Sequence, residues 1–279
     1  MVLIADSGST KTVWALTEQD KPIKTIQTAG LNPYFHTPDS IGSVIKNELV
    51  PFLVSGTISE IHFYGAGCST EKNNNMLKDI LCSVFKEAGV NIYHDILGAA
   101  RALFGKEQGI AGILGTGCNS CFYDGTDIFS GVPSLGYLFG DEGAGSYLGK
   151  SFMEKQLKKR LPAEIQKAFD ERYKFSLEDI LNALYNRPFP NRFLASFSEF
   201  MEPLQHHPFI REMIKSSFDA FFEEQILKYE NCHQVPVSFV GSVAFFYNEI
   251  LIESAKEHGV NVATILQSPL EGLISYHTE

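Results

Sequence analysis

Apolar positions along the first 105 residues come in short blocks whose spacing switches between that of strands and that of helices. Val2–Ala5, Thr12–Leu16 and Ile23–Thr28 read as three successive strands. A helix follows near Pro38-Asp39, with Thr37 suited to its N-cap and Pro38 to its first position. Ile61–Tyr64 is a buried strand, Met76–Ala88 has helical spacing that stops at Gly89, Val90–Tyr93 is a strand, and Ile96–Phe104 is a helix before Gly105. The order βββαβαβα then begins again. Strands are expected near 110–114, 120–124 and 127–130, then a helix from about 142 to 160. From 161 to 232 the pattern is helical and rich in phenylalanine, and the stripe Phe193, Phe197, Phe200, Phe218, Phe221 and Phe222 reads as core. Strand Val235–Val240, a helix after Gly241-Ser242, strand Val260–Leu266 and a last helix over 270–279 complete the repeat. This predicts two α/β domains, 1–105 and 106–279, the second carrying a helical insertion at 161–232. The final helix is expected to pack back on the first domain.

The turns between paired strands carry the first chemistry. Val2–Ala5 ends at Asp6 and turns through Ser7-Gly8-Ser9-Thr10-Lys11 into the next strand. Backbone N–H groups and hydroxyls at Gly8, Ser9, Thr10 and Lys11 can cradle phosphate oxygens, while the Asp6 carboxylate holds a hydrated Mg²⁺ beside them. The turn is echoed at Gly115-Thr116-Gly117, with Gly115 lying 107 residues after Gly8, as expected of two related lobes that grip a nucleotide. The first turn is not a P-loop: Thr10 precedes Lys11, and β-formers rather than a helix follow. Gly140-Asp141-Glu142-Gly143-Ala144-Gly145 lacks the G-x-G-x-x-G spacing of a dinucleotide fold.

Charge and cysteines narrow the function classes. A net charge of −10 with no extended basic patch disfavours nucleic acid. No long apolar run or secretory leader is read, so membrane association is not expected and the expected location is cytoplasmic. Five cysteines argue against a disulfide framework, and the lone Cys118-x-x-Cys121 pair lies across a turn and strand, where packing is the expected role.

Several residues stand at strand ends, where α/β domains bind ligands. Asp95, between a strand and a helix, serves equally well as an N-cap or as a general base for a substrate hydroxyl. Its neighbour His94 is expected to alternate away from it. Asp141, bracketed by glycines, either answers the dipole of the helix it opens or reaches sugar hydroxyls or a catalytic group; Asn32, before Pro33, either binds a polar ligand or stabilises its turn. Gly241-Ser242, with Phe245 a turn later, leaves room for a flat ligand or forms a plain strand-to-helix turn.

In this order, Asp6-x-Gly8-Ser9-Thr10-Lys11-Thr12, Gly30-Leu31-Asn32-Pro33, His94-Asp95, Leu114-Gly115-Thr116-Gly117-Cys118-Asn119-Ser120, Gly140-Asp141-Glu142-Gly143 and Val240-Gly241-Ser242-Val243 span nearly the whole chain. The chain resembles the N-acetylglucosamine kinase branch of the BadF/BadG/BcrA/BcrD ATPase family, within the sugar kinase–Hsp70–actin superfamily. The resemblance implies two ribonuclease H-like (actin/hexokinase-type) domains hinged about a nucleotide cleft. It implies an ATP- and Mg²⁺-dependent kinase, with an amino sugar as small-molecule partner and N-acetylglucosamine, taken at its 6-hydroxyl, as the expected acceptor. It makes Asp95 the base and Asp6 the Mg²⁺ residue, acting through water, with Thr10 and Thr116 at the phosphates beside Gly117. Asn32, Asp95, Cys118, Asn119 and Asp141 would line the sugar, Ser134-Leu135-Gly136 would close over it, and Gly241, Ser242 and Phe245 would meet the adenosine. Cys118 stands where the family has serine, and Ser134–Phe139 departs from the family's glycine/tryptophan-rich run; both bear on the acceptor. Two other roles lie nearby: an ATPase that activates a reductive dehydratase through a [4Fe–4S] cluster between subunits, and a non-catalytic sugar sensor. The sequence leaves the oligomeric state open, a homodimer included.

Overall fold

The computed structural model describes residues 1–19, 21–129 and 131–278. Two compact units are distinguished. One comprises Met1–Ala111, Tyr123–Phe129 and the run that starts at Ser268; the other comprises Gly112–Phe122 and the long run that ends at Gln267.

Strands β1 (Val2–Ser7), β2 (Lys11–Glu18), β3 (Lys21–Ala29), β4 (Glu60–Gly65) and β5 (Gly89–His94) form one sheet in the order β3-β2-β1-β4-β5. Pairing is antiparallel along the β1–β2–β3 meander and parallel from β1 to β4 and β5. Successive side chains on a strand face opposite ways, so each strand feeds two cores. Leu3, Ala5, Trp14, Leu16, Ile61 and Phe63 pack beneath helices α1 (Pro38–Val44) and α2 (Glu71–Val84). Thr37 caps α1 by accepting the Ser40 N–H, as the sequence suggests. Ile4, Ala15 and Tyr64 face the other way, toward helix α3 (Asp95–Phe104) and the last helix (Leu270–Thr278). Residue 279, the end of the helix expected over 270–279, lies outside the described residues.

That last helix docks closely: a Cβ on Gly272 would stand 2.4 Å from the Ala102 carbonyl oxygen of α3. A polar clasp secures it. Arg101 donates to the Tyr64 hydroxyl at 2.9 Å, that hydroxyl lies 2.8 Å from His277 Nε2, and the His277 ring stacks on His62 at 3.8 Å. Burial, His62 and Arg101 together push the His277 pKa down to about 3, so the clasp is built from a neutral imidazole. The sheet and this clasp hold α3, whose first residue is Asp95.

Strands β6 (Gly109–Leu114), β7 (Cys118–Tyr123), β8 (Ile128–Phe129), β9 (Val237–Val240) and β10 (Val262–Leu266) form the second sheet, ordered β10-β9-β6-β7-β8. Numbered from its own first strand this is again 3-2-1-4-5, so the repeat read in the sequence is a repeat of topology. The strand expected near 127–130 includes Ser130, which lies outside the described residues. Between the strands run α4 (Gly136–Phe139), α5 (Gly145–Leu157), α6 (Ala163–Arg172), α7 (Leu177–Tyr185), α8 (Pro190–Ala195), α9 (Ser198–Met201), α10 (Pro208–Glu224), α11 (Ser242–Phe246), α12 (Asn248–Glu257) and finally α13, the Leu270–Thr278 helix. The phenylalanine stripe is core: Phe197 and Phe200 pack with Phe152 and Phe169, and Phe221 and Phe222 meet Phe239 of β9.

α3 begins one residue early, at Asp95 and not Ile96, and two other helices differ more. The helix expected over Met76–Ala88 starts at Glu71, because Thr70 accepts the Asn73 N–H as N-cap, and it ends at Val84. The helix expected from about 142 begins at Gly145, because Asp141 and Gly143 both take positive φ, +63° and +79°, which no helix accommodates. No helix among the described residues is long and apolar enough to cross a membrane.

Candidate active site

In the first unit the candidate residues lie where β1, β4 and β5 end. Asp6 is paired between Val13 of β2 and Tyr64 of β4. As an even position on β1 it faces as Ile4 does, toward α3, whose first residue is Asp95. The turn after Asp6 is closed by the Gly8 N–H donating to the Lys11 carbonyl at 3.0 Å. Ser7 Oγ lies 2.7 Å from Thr12 Oγ1 across the hairpin and accepts the Leu31 N–H. Gly30 donates to the Thr10 carbonyl at 3.1 Å, and a Cβ on it would stand 2.5 Å from the Gly8 carbonyl oxygen. Only glycine lets the 30–34 loop lie against the hairpin this closely.

That contact brings Asn32 to the site. Asn32 is 6% exposed, and its Oδ1 accepts the Tyr34 N–H at 3.0 Å, closing an Asx turn. The turn-stabilising role is therefore filled by Oδ1, and the amide's donors are on Nδ2. Gly67, after β4, takes φ +83° and would meet Asn32 Oδ1 at 2.4 Å if it bore a Cβ. The next residue, Cys68, is buried, and burial together with the Asp95 charge pushes its thiol up to about 12.

The acid residues set the electrostatics. Loss of hydration, reinforced by the Asp95 carboxylate and opposed by Lys11, raises the Asp6 pKa to about 7. Two carboxylates this close, with one exposed lysine to offset them, form a place where a cation is favoured. Among the described residues no three His, Cys, Asp or Glu side chains gather as a metal cage. One carboxylate with water and phosphate completing the shell is the manner in which Mg²⁺ binds, so the residues present fit that ion. The raised Asp6 pKa yields a pH prediction. A cation must displace the Asp6 proton below about pH 7, so apparent Mg²⁺ affinity is expected to fall about tenfold per pH unit there and to level off above pH 8. Asp6→Asn is expected to abolish that dependence and weaken Mg·ATP use while leaving sugar binding intact; calorimetry at pH 6, 7 and 8 checks both.

Asp95 has a partner that the sequence reading turned away. His94 is the last residue of β5, and strand alternation predicts that it points away from Asp95. Its Nδ1 instead lies 2.6 Å from Asp95 Oδ1, which also accepts the Ile96 N–H at 2.8 Å. Alternation fails because the backbone passes from extended at His94 (φ −68°, ψ 143°) to helical at Asp95, so the two side chains converge. Burial alone would lower the His94 pKa, but the hydrogen bond to Asp95 and its charge outweigh it and raise it.

The second unit holds the second turn. Gly115 donates to the Gly117 carbonyl at 3.0 Å, and Gly145 and Ser146 at the start of α5 donate to the Gly115 and Thr116 carbonyls. Asp141 binds this turn to the helix. It is 7% exposed, its Oδ1 accepts the Cys118 N–H at 3.0 Å, and its Oδ2 accepts the Ser146 hydroxyl at 3.1 Å. A Cβ on Gly117 would stand 2.9 Å from Asp141 Oδ1. Burial raises the Asp141 pKa, while the Cys118 and Ser146 bonds oppose the rise. Asn119 Oδ1 accepts the Ser120 N–H, and the Ser134 hydroxyl lies 3.5 Å from the Cys118 carbonyl oxygen. Leu135 is exposed and Gly136 takes φ +67°. Cys118 and Cys121 form no disulfide; three residues apart on β7, their side chains face opposite sides of the strand.

Gly241 follows β9 with φ +129°, and a Cβ there would stand 2.2 Å from the Leu114 carbonyl oxygen, so the end of β9 and the second turn are in direct contact. Ser242 opens α11. Phe245, partly exposed, lies a turn along α11 and lines a cavity of about 240 Å³ with Asn248, Ile252 and β10.

No protein-family model matches the chain, and no curated protein does. Solved structures do. The chain is similar to a protein from Porphyromonas gingivalis described as a "Putative N-acetylglucosamine Kinase", with 41% identity over 100% of this chain and 99% of that one, at a TM-score of 0.95. A protein of the same description from Chromobacterium violaceum shares 15% identity over 99% of this chain and 98% of the other, at a TM-score of 0.68. A ROK family glucokinase from Streptomyces griseus, solved with glucose and AMPPNP, shares 13% identity over 98% and 97% of the two chains, at a TM-score of 0.60. The last two show the two-domain actin/hexokinase-type fold.

Proposed function

The chain belongs to the N-acetylglucosamine-kinase-like family of sugar kinases, and from that membership we propose that it transfers the terminal phosphoryl group of ATP to the 6-hydroxyl of N-acetylglucosamine. Its ordered motifs favour the BadF/BadG/BcrA/BcrD branch of that superfamily. The observation that carries the reading is the meeting of Asp95 with Asp6 and the β1–β2 turn at one end of one sheet.

Phosphoryl transfer to an alcohol needs a group that takes the hydroxyl proton and groups that bear the charge of the transferring phosphate. Asp95 fills the first role. Its Oδ1 is engaged by Ile96 and His94, so Oδ2 is the atom that accepts the proton. The backbone N–H groups and hydroxyls of Ser9 and Thr10, with the Lys11 ammonium, would face phosphate oxygens; Thr116 and Gly117 offer a turn of the same kind in the second unit. Asp6 would hold Mg²⁺ through water, and the ion would supply positive charge against the transferring phosphate. Asn32 would bind the sugar through Nδ2. Cys118 and Asn119 would line the sugar with Asp141 bracing them, and Ser134, Leu135 and Gly136 would cover it. Gly241, Ser242 and Phe245 would meet the adenosine. Cys118 and Cys121, facing opposite ways on β7, give no support to an iron–sulfur activator role.

A panel of acceptors tests the reading. N-acetylglucosamine is expected to give the highest kcat/KM, with glucosamine and glucose at least about tenfold lower, the scale of loss when a ligand group that the site binds is missing. Equal turnover of glucose would move the acceptor class away from amino sugars.

A further inference from the structure

We propose that the acceptor site continues into a polar groove between α2 and the edge strand β5, and that the enzyme accepts oligosaccharides of N-acetylglucosamine, the second ring lying in that groove. The inference rests on the reading of Asp95 as the base of a sugar kinase and widens the acceptor from one ring to two.

The groove has a volume of about 620 Å³ and is walled by α2 on one side and by β5 and Leu97 on the other. That volume lies within the range of about 300–1,000 Å³ typical of sites that enclose small organic ligands. It is built entirely within the first unit. Its inner end meets the acceptor residues. Cys68 and His94 both line it, and His94 Nδ1 lies 2.6 Å from Asp95 Oδ1. On the other flank Gly67, just before Cys68, packs against Asn32, and the Gly67 carbonyl accepts the Asn73 side-chain amide of α2 at 2.9 Å. From there the groove runs along β5 back to Val90.

The walls set the class of ligand. Glu71, Asn74, Asn75 and Lys78 recur at the spacing of one helix face, so α2 turns a polar stripe to the groove. Glu71 and Lys78 offset one another in charge, and the amides between them are neutral, which suits an uncharged ligand rich in hydroxyls. The Asn74 Oδ1 has no hydrogen-bond partner among the described residues, so its amide is free to turn toward a ligand hydroxyl. On the opposite wall β5 is the edge of its sheet, and its outer backbone N–H and C=O groups have no strand partner among the described residues. Leu97 adds an apolar patch for the C–H face of a ring. The chemical step is unchanged: the bond from Pγ to the bridging oxygen of ADP breaks, a bond to O6 of the ring at Asp95 forms, and the hydroxyl proton passes to Asp95.

The test compares N-acetylglucosamine with its β1,4-linked disaccharide, N,N′-diacetylchitobiose, each with ATP and Mg²⁺. The wild type is expected to phosphorylate the disaccharide with kcat/KM within about threefold of the monosaccharide's, since its extra contacts offset the cost of ordering a second ring. Asn75→Trp, at an exposed position of α2, fills the groove; it is expected to lower the disaccharide's kcat/KM about tenfold or more and leave the monosaccharide's within about twofold. Asn74→Ala is expected to raise the disaccharide's KM about threefold to tenfold at unchanged kcat, as for a contact made equally in ground and transition states. Should Asn75→Trp not fold, Lys78→Trp, exposed and a turn farther along α2, fills the same groove. Refusal of the disaccharide by an enzyme that turns over the monosaccharide would overturn the proposal and leave the kinase reading standing. So would a tryptophan variant that loses both sugars equally, or neither. No turnover of either sugar would remove the kinase reading, and the proposal with it.

Discussion

Asp95→Asn slows phosphoryl transfer by about 10²–10⁴-fold in a protein that keeps its fold; that is the expected result if Asp95 is the base. The substitution keeps an oxygen where Oδ1 stands, so the Ile96 N–H retains an acceptor. Asp95 is the first residue of α3 and His94 its N-cap, so the local loss is the dipole interaction of one first-turn carboxylate, about 0.3–1 kcal/mol. One part of the stability change depends on pH. The folded-state pKa of His94 is raised by Asp95, so its contribution is full below the unfolded value of 6.5 and is lost as pH rises through the folded value. Melting curves should therefore differ more at pH 6 than at pH 8.5. Turnover measured at pH 8.5 with saturating sugar and ATP isolates the chemical loss from that effect. Near-normal turnover in a stable variant would leave Asp95 as a helix-start residue only.

Gly241→Ala is expected to destabilise the second unit by about 2–4 kcal/mol and to abolish measurable ATP affinity. The added methyl would stand 2.2 Å from the Leu114 carbonyl oxygen, well inside van der Waals contact. Its φ of +129° is one that L side chains rarely adopt, so strain adds to the clash. Neither neighbour can swing aside, because both are backbone. Relief requires β9 or the strand leading into Gly115-Thr116-Gly117 to shift, and the second turn moves with it. Overpacking of this kind costs about 1–3 kcal/mol, and the backbone strain, at the low end of its range, adds about 1 kcal/mol. The melting temperature should fall by roughly 5–15 °C. Calorimetric titration with ATP at 10 °C, where the variant is still folded, measures the second effect; unchanged affinity there would detach Gly241 from the nucleotide.

Much of this site is written in local sequence. Thr37-Pro38 marks a helix start by chemistry that acts within four residues, and Asp6 through Thr12 marks a hairpin by polar turn residues between β-formers. The topological repeat follows from the order of apolar blocks, because a five-stranded meander-plus-crossovers has few ways to close. What local sequence does not carry is the meeting of distant or re-aimed groups. The start of α2 at Glu71 was hidden because Asn73, Asn74 and Asn75 are poor helix formers, and the Thr70 cap and tertiary burial outweigh them. α4 spans four residues, too few for any periodicity to show. The His94 contact needs a backbone angle: alternation holds within a strand and lapses at its last residue, where the helix begins. A histidine at a strand-to-helix step beside an acid is itself the signal that finds such a pair. Asp141 is a different case. Its glycine-rich surroundings mark it as special, and the structure shows that both carboxylate oxygens hold the second turn to α5.

One measurement bears most directly on the central claim. Incubating the protein with ATP, Mg²⁺ and N-acetylglucosamine, and following ADP and sugar phosphate together by phosphorus and proton NMR, reads both products at once. The account predicts one phosphorylated sugar per ADP, the phosphate on the 6-hydroxyl, and little ADP when sugar is withheld. ADP that accumulates without any phosphorylated sugar, at a rate indifferent to the sugar supplied, would contradict it.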